Sequence, residues 1–353
     1  MGKSKITIIP DSIQLIRMTD EEYFGDKYKD YISNSKLKLI DPNDCGSEES
    51  YLSGFQGSYS ESFELGSAVH EMLLQPDCFY ISSIRKPSGK LGLFADKAFK
   101  HIQEGIIIDK VIEISSKEAD YYSSSFSEKR KEKALESCLP YWEKRKENQE
   151  LLKEEIIGSN KEPIYLSEGI FSKFEQCMNG VSENPKFYQL LHPNESESYN
   201  EYAILCEILV ETDQYKIVLK FKAKLDNYTI NFDKSLVTLN DLKTTGKPVN
   251  YFMGNNAKLF DENGNEYRKW IDGSFQHYKY YRQMAVYLWL LQCYLMKTHG
   301  IVFESCANML VVETIPEFKS KVYRVSNSQI KKGLKEMKEL LILVANLEWK
   351  NQK

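Results

Sequence analysis

The 353-residue chain predicts an α+β fold: a mixed central sheet flanked by helices, carrying a charged helical insertion. Three observations predict it. Apolar residues recur at helical spacing over residues 60–74 and 274–297, three successive strand patterns run through 201–243, and residues 90–157 combine helical periodicity with dense charge.

In chain order, residues 1–60 read as a loop-rich element with Pro42, Gly46, Gly54 and Gly57, in which Ser33 caps a short helix over Ser33-Asn-Ser-Lys-Leu37. Residues 60–74 form a helix closed by Pro76. The charged runs at 128–133 and 143–147 are read as solvated helix faces. A helix over 167–179 and a shorter one over 186–191 flank Asn184-Pro185. Strands follow at 201–210, 215–228 and 236–243, the first two joined by a turn at 211–214. On the second, Lys216, Lys220, Lys222 and Lys224 share one face. Residues 244–273, rich in Gly, Asn and charge, read as one long loop. A helix over 274–297, strands at 306–314 and 319–325, and a final helix to 347 capped by Ser326 or Ser328 complete the order. The expectation is a single domain over 1–353, with its sheet and following helix in 200–314 and its C-terminal helix in 326–347.

A formal charge of -4 confines any nucleic-acid contact to local patches. The seven cysteines are scattered and never form Cys-x-x-Cys, which argues against a disulfide framework, a zinc ribbon or an iron–sulfur cluster and for a reducing, cytoplasmic setting. The N-terminus lacks the apolar core of a secretory signal, and the most apolar stretch, 284–296, is too short to span a bilayer. No membrane association is expected.

Chemistry concentrates at the third strand, in Asp241-Leu-Lys-Thr-Thr-Gly246. Asp241 and Lys243 point the same way, about 7 Å apart along the strand. Acid-x-Lys also occurs at Glu317, Glu336 and Glu348, but only Asp241 follows a second strand-end acid, Asp226. Two carboxylates brought together repel unless a cation or proton lies between them. Hard oxygen donors suit Mg2+ or Mn2+. Taken alone, Asp226 reads as a strand end accepting turn hydrogen bonds.

Asp226 … Asp241-Leu-Lys243, on consecutive strands after a helix, resembles the PD-(D/E)XK nuclease superfamily, and more narrowly its phage RecE/RecB-like exonuclease branch. Gly66-Ser-Ala-Val-His70 is similar to that branch's Gly-x-x-x-His helix, Gln283-Met-Ala-Val-Tyr287 to its Gln-x-x-x-Tyr helix, and Ser33-Asn-Ser-Lys-Leu37 to its Ser-x-Ser-x-Leu element. The sequence departs from the pattern in having Leu225 rather than proline before the first acid, and Asp241 rather than glutamate.

The resemblance implies a restriction-endonuclease-like core and a Mg2+- or Mn2+-dependent deoxyribonuclease without an iron–sulfur cluster. His70, Asp226, Asp241 and the carbonyl of Leu242 would hold metal. Asp226, Asp241, Lys243 and Glu201 (or Glu207 in its place) would act in catalysis, with Lys243 positioning water. Gln283, Tyr287, Thr244, Lys220, Lys222 and Lys224 would contact DNA, although Tyr287 also reads as a core aromatic and the lysines as an exposed strand face. The implied substrate is linear double-stranded DNA. The implied setting is phage recombination, in a bacterial cytoplasm, with a single-strand annealing protein as partner and a homo-oligomeric assembly. The rivals are a structure-specific endonuclease using the same site and a non-catalytic DNA-binding or interaction protein on the same fold.

Overall fold

A computed structural model describes residues 4–54, 60–121, 127–155, 161–262 and 265–352. Its contacts divide the chain into two compact units, Met1–Gln56 with Gly180–Lys353, and Gly57–Asn179.

In chain order the elements are β1 (Lys5–Ile8), β2 (Gln14–Arg17), α1 (Asp20–Phe24), α2 (Asn34–Lys38) and α3 (Glu48–Ser53) in the first unit. Then come α4 (Glu61–Leu74), β3 (Phe79–Ile81), α5 (Gly89–Gln103), α6 (Ile108–Glu118), α7 (Glu128–Glu155), β4 (Glu162–Ile164) and α8 (Glu168–Ser182). The first unit resumes with α9 (Pro185–Leu191), β5 (Glu197–Glu211), β6 (Lys216–Asn231), β7 (Leu236–Thr245), β8 (Asn255–Phe260) and β9 (Glu266–Ile271). It ends with α10 (Ser274–His277), α11 (Tyr280–His299), β10 (Glu304–Glu313), β11 (Ser320–Arg324) and α12 (Asn327–Asn351).

The sheet of the first unit has seven strands in the order β1-β5-β6-β7-β10-β11, with β2 also on β5. β5, β6 and β7 are antiparallel, and β10 lies parallel to β7 through the pairs Glu304↔Leu236 to Glu313↔Thr245. The mixed sheet with helices on its faces is as expected. α11 faces Asp241, whose carboxylate it reaches through Gln283, whereas Asn240, one residue earlier, points to the carbonyl of Leu190 in α9. Gly333 lets α12 press onto α11, since a Cβ there would come within 2.5 Å of the Tyr281 carbonyl oxygen. Ser326 and Gln329 cap α12 reciprocally.

Four asparagines cross the sheet in a line. Asn227 donates to Asn200, Asn240 to Asn227 and Asn308 to Asn240, at 2.7, 2.7 and 2.9 Å. The row spans β5, β6, β7 and β10, and Asn227, Asn240 and Asn308 are buried. Amides that bond one another across strands satisfy groups that would be costly to bury alone.

The N-terminal element is more regular than its composition suggests. Ser33 caps α2 by accepting the amide of Lys36 at 3.2 Å, as expected. β1 and β2, too short to show a clear alternation, add to the edge of β5. Asp41 accepts Lys279 at 2.6 Å and Arg282 at 2.5 Å, and Arg282 is only 1% exposed. This buried cluster fixes the start of α11, where Lys279 takes a left-handed conformation (φ 54°) and separates α10 from α11. The single helix expected over 274–297 is thus two. The long loop expected over 244–273 instead carries the antiparallel ribbon β8–β9. The connection expected after Tyr228 begins later, because β6 continues to Asn231.

The second unit, wider than the charged stretch 90–157, has its own core of Phe94, Ala95, Phe99, Val111, Cys138 and Trp142. Lys86 pairs with Glu64 at 2.9 Å and Asp96 at 2.7 Å. Arg145 belongs to a charged run yet turns inward, pairing with Asp96 at 2.8 Å with its guanidinium over Phe99 and Tyr165. All seven cysteines are unbridged thiols.

Two substitutions test these constraints. Asn240→Leu strands the Asn227 carbonyl and the Asn308 amide, so urea unfolding should show a loss of about 2–4 kcal/mol. Asp41→Asn leaves Arg282 without its counter-charge and should cost about 3 kcal/mol at neutral pH. Burial pushes the Asp41 carboxyl up, but hydrogen bonds from Lys279, Arg282 and the Asn43 amide outweigh it and hold the folded pKa below its ordinary value. Its stabilisation is therefore present above the ordinary carboxylate pKa and fades as pH falls through the lowered one. The difference between wild type and Asp41→Asn, measured by chemical denaturation against pH, should collapse only in acid.

Candidate active site

β6 and β7 pair from Asn231↔Leu236 to Asn227↔Asn240 and then part. The next residues, Asp226 and Asp241, face each other across the parting. Asp226 satisfies the β7 backbone through its side chain, accepting the Leu242 amide on Oδ2 at 2.8 Å. Further back along β6, the edge vacated by β7 is taken by Ile32, which donates to the Lys220 carbonyl and accepts the Lys222 amide, each at 2.8 Å. Sheet pairing is given up where the acids stand.

The alternation of β5 and β6 also changes phase here. Leu225 and Tyr228 both enter the core, which strict alternation forbids, and Asp226-Asn227 absorbs the difference. Opposite, Glu201 has φ 59° and interrupts the β5–β6 ladder between Asn200↔Asn227 and Tyr202↔Leu225. A left-handed glutamate inside a strand is sterically costly and needs support from its surroundings. Here Glu201 is buried, ion-paired with Lys224, and has a carboxylate oxygen within 4.8 Å of one from Asp226.

Lys243 is the cation between the two aspartates. Its Nζ lies 2.5 Å from Asp241 Oδ2 and 3.8 Å from Asp226 Oδ2, and it donates to the Leu242 carbonyl at 3.2 Å. Burial pulls the pKa of Lys243 down, but Asp241 and Asp226 outweigh it, so it rises above the ordinary lysine value. The ring of Tyr280 lies 5.4 Å from the ammonium. Gln283 donates to Asp241 Oδ1 at 2.9 Å, and Asp241 is 1% exposed. Tyr287, one turn along α11, is half-buried, and burial followed by the charges of nearby groups pushes its phenol well up.

Glu207 lies six residues along β5 from Glu201, about 20 Å away in an extended strand, with its backbone amide bonded to Ser12. Lys224 is shared between Glu201 and Asp20, and Lys222 is buried with its ammonium on the Tyr23 carbonyl at 2.6 Å. Lys220 is exposed on the same strand face. That face is therefore largely covered by the N-terminal element rather than open throughout. Thr244 is half-buried on β7, paired in register with Val312. His70 is half-buried on α4, in the second unit. Tyr280 escaped sequence reasoning, although its position one turn before Gln283-Met284 on an amphipathic helix placed it on the site side.

The oxygen-rich set Glu201, Asp226, Asp241 and the Leu242 carbonyl has the hard-donor chemistry that a divalent cation needs. Lys243 now supplies the counter-charge. Among the described residues, no helix is long and apolar enough to cross a membrane.

No protein-family model matches the chain, and no curated protein matches it. Among solved structures it is similar to a Eubacterium rectale protein provisionally named an exonuclease, with a TM-score of 0.43 and 12% identity over 92% of this chain and 86% of the other. An overlap that loose assigns this chain neither a family nor a function.

Replacing Lys243 by Met leaves Asp241 buried without its cation and should lower stability by about 3 kcal/mol. The ammonium's contribution is complete below the ordinary lysine pKa and is lost only as pH rises through the raised one. The stability gap between wild type and variant in urea should therefore stay level from about pH 6 to pH 10 and close above that.

Proposed function

We propose that this protein is a metal-dependent nuclease hydrolysing phosphodiester bonds, and that its substrate is linear double-stranded DNA degraded from an end. One observation carries the reading: two aspartates opposed across a parted strand pair, with one lysine against both. A structural ion pair needs one acid and one base. A second aspartate and the strained Glu201 beside it add negative charge that stability alone does not call for.

Asp226, Asp241, Glu201 and the Leu242 carbonyl would hold Mg2+ or Mn2+, and His70 is proposed as a further ligand from the motif resemblance alone. Such an ion neutralises phosphate charge and makes water acidic enough to attack near neutral pH. Lys243, beside both aspartates, would offer its ammonium to the attacking water and the phosphoryl oxygens. Gln283 holds Asp241 by one amide hydrogen and so fixes the carboxylate's orientation. Tyr287 keeps its proton, so its phenol is available to a phosphate oxygen as a donor. Of Lys220, Lys222 and Lys224, Lys220 is the exposed one and so the one placed to meet the phosphate backbone. The resemblance further suggests a recombination role with an annealing partner, in a phage-infected cytoplasm.

The test is cleavage of end-labelled linear duplex and of covalently closed circles, with Mg2+ and with EDTA. Metal-dependent loss of the linear DNA alone is expected, with Asp241→Asn and Lys243→Ala each at least about a hundredfold slower. Cutting of the circle would assign an endonuclease. No cleavage of either with Mg2+ or Mn2+ would remove the enzyme reading. In thermal unfolding, Mg2+ should raise the melting temperature of wild type and of Lys243→Met, and leave Asp226→Asn/Asp241→Asn unchanged.

A further inference from the structure

The ribbon β8–β9 places aromatic and cationic side chains on one exposed face. Its register pairs Asn256 with Trp270, Lys258 with Arg268, and Phe260 with Glu266. Cross-strand partners share a face, so Trp270, the Lys258/Arg268 rung and Phe260 succeed one another along it. Phe260 is 64% exposed and Trp270 51%. On β8 the other face, with Ala257 and Leu259, is half-covered, whereas β9 is exposed on both faces, Tyr267 and Ile271 included; the face with Trp270 and Phe260 is the more exposed of the two.

Exposed rings that succeed one another on one face, unlike single ones, mark a contact surface. Here one of them is also held in place. Trp270 donates its indole N–H to Asp272 at 3.0 Å. The ring lies over Gly254, where φ is 100° and a Cβ would come within 2.6 Å of the indole. A ring fixed before its ligand arrives loses little entropy on binding. The ribbon is also tied to the candidate active site. Phe275, just after it, donates its amide to the Phe252 carbonyl at 2.9 Å, and Phe252 stacks on Tyr280 at 5.8 Å. Tyr280 is the ring beside Lys243.

We propose that this face of the ribbon is a stacking platform for single-stranded nucleic acid, carrying the unpaired strand to or from the site. The proposal rests on the nuclease reading. Bases in a duplex hide their faces, whereas an unpaired strand offers them to Trp270 and Phe260 and its phosphates to the rung between. Arg268 supplies the principal phosphate contact, because Lys258 is paired with Glu266 at 2.5 Å. Salt dependence should therefore be shallow, about one phosphate's worth.

The experiment is titration with a short oligo(dT), and with a duplex of equal length, in EDTA so that nothing is cut. Wild type should bind oligo(dT) with quenching of tryptophan fluorescence, and the quenching should disappear in Trp270→Phe. Phe260→Ala/Trp270→Ala, checked by circular dichroism for an unchanged fold, should bind oligo(dT) about tenfold or more weakly. Oligo(dT) binding unchanged in that variant, duplex binding weakened in it as much as oligo(dT) binding, or burial of the ribbon in a stable dimer would each overturn the proposal. The Asp241→Asn protein separates it from the nuclease reading. If that protein still cleaves, the site assignment fails while the ribbon result stands; if the ribbon variant binds normally, the ribbon fails while cleavage stands.

Discussion

The line of asparagine amides through β5, β6, β7 and β10 is the constraint on which the candidate site depends. Apolar side chains tolerate a slipped register if volume is conserved, but a buried amide tolerates only the partner that completes its hydrogen bonds. Asn227 immediately follows Asp226, and Asn240 immediately precedes Asp241. Matching the two asparagines therefore matches the two aspartates one step further on, on the opposite side of the sheet. The polar row sets the register that the charged pair uses.

Beyond that row the sheet meets a conflict between backbone pairing and charge. Continuing the β6–β7 ladder would force two carboxylates together in a buried place. The strands part instead, and each lost backbone interaction is replaced. Asp226 takes the Leu242 amide, Ile32 takes the β6 edge, and Lys243 and Lys224 divide the negative charge of Asp226, Asp241 and Glu201 between them. Acids outnumber lysines here, since Lys224 is also shared with Asp20.

Much of this arrangement was legible in the sequence, because it is local. Asp241 and Lys243 share a strand face by simple alternation, Ser33 announces its helix by capping chemistry, and the strands of 201–243 carry their own apolar pattern. What escaped depends on residues far apart. Asn227 is of a residue type that strands disfavour. Its acceptability comes from Asn200 and Asn240, on two other strands. The same holds for Asp41 and Arg282, whose mutual burial spans the two separated segments of the first unit. The ribbon was misread for another reason. Asn263-Gly264 between Lys-Leu-Phe and Tyr-Arg-Lys-Trp-Ile is a hairpin signal, but the surrounding charge obscured the alternation. The conformation of Glu201 had no sequence signal, because left-handed backbone at a glutamate is imposed by its neighbours.

The first unit is written in two pieces with the second unit between them, and this gives its assembly an order in time. Ile32 has no strand to pair with until Lys220 and Lys222 exist, roughly 190 residues later. At about 5–20 residues per second, that is on the order of ten to forty seconds of synthesis. Throughout it, Ile13, Ile32 and Leu37, all buried in the finished protein, have no sheet to cover them. The second unit, contiguous in sequence, meets no such delay. A nascent chain therefore carries the apolar side chains of its N-terminal segment uncovered until about residue 222 has been made.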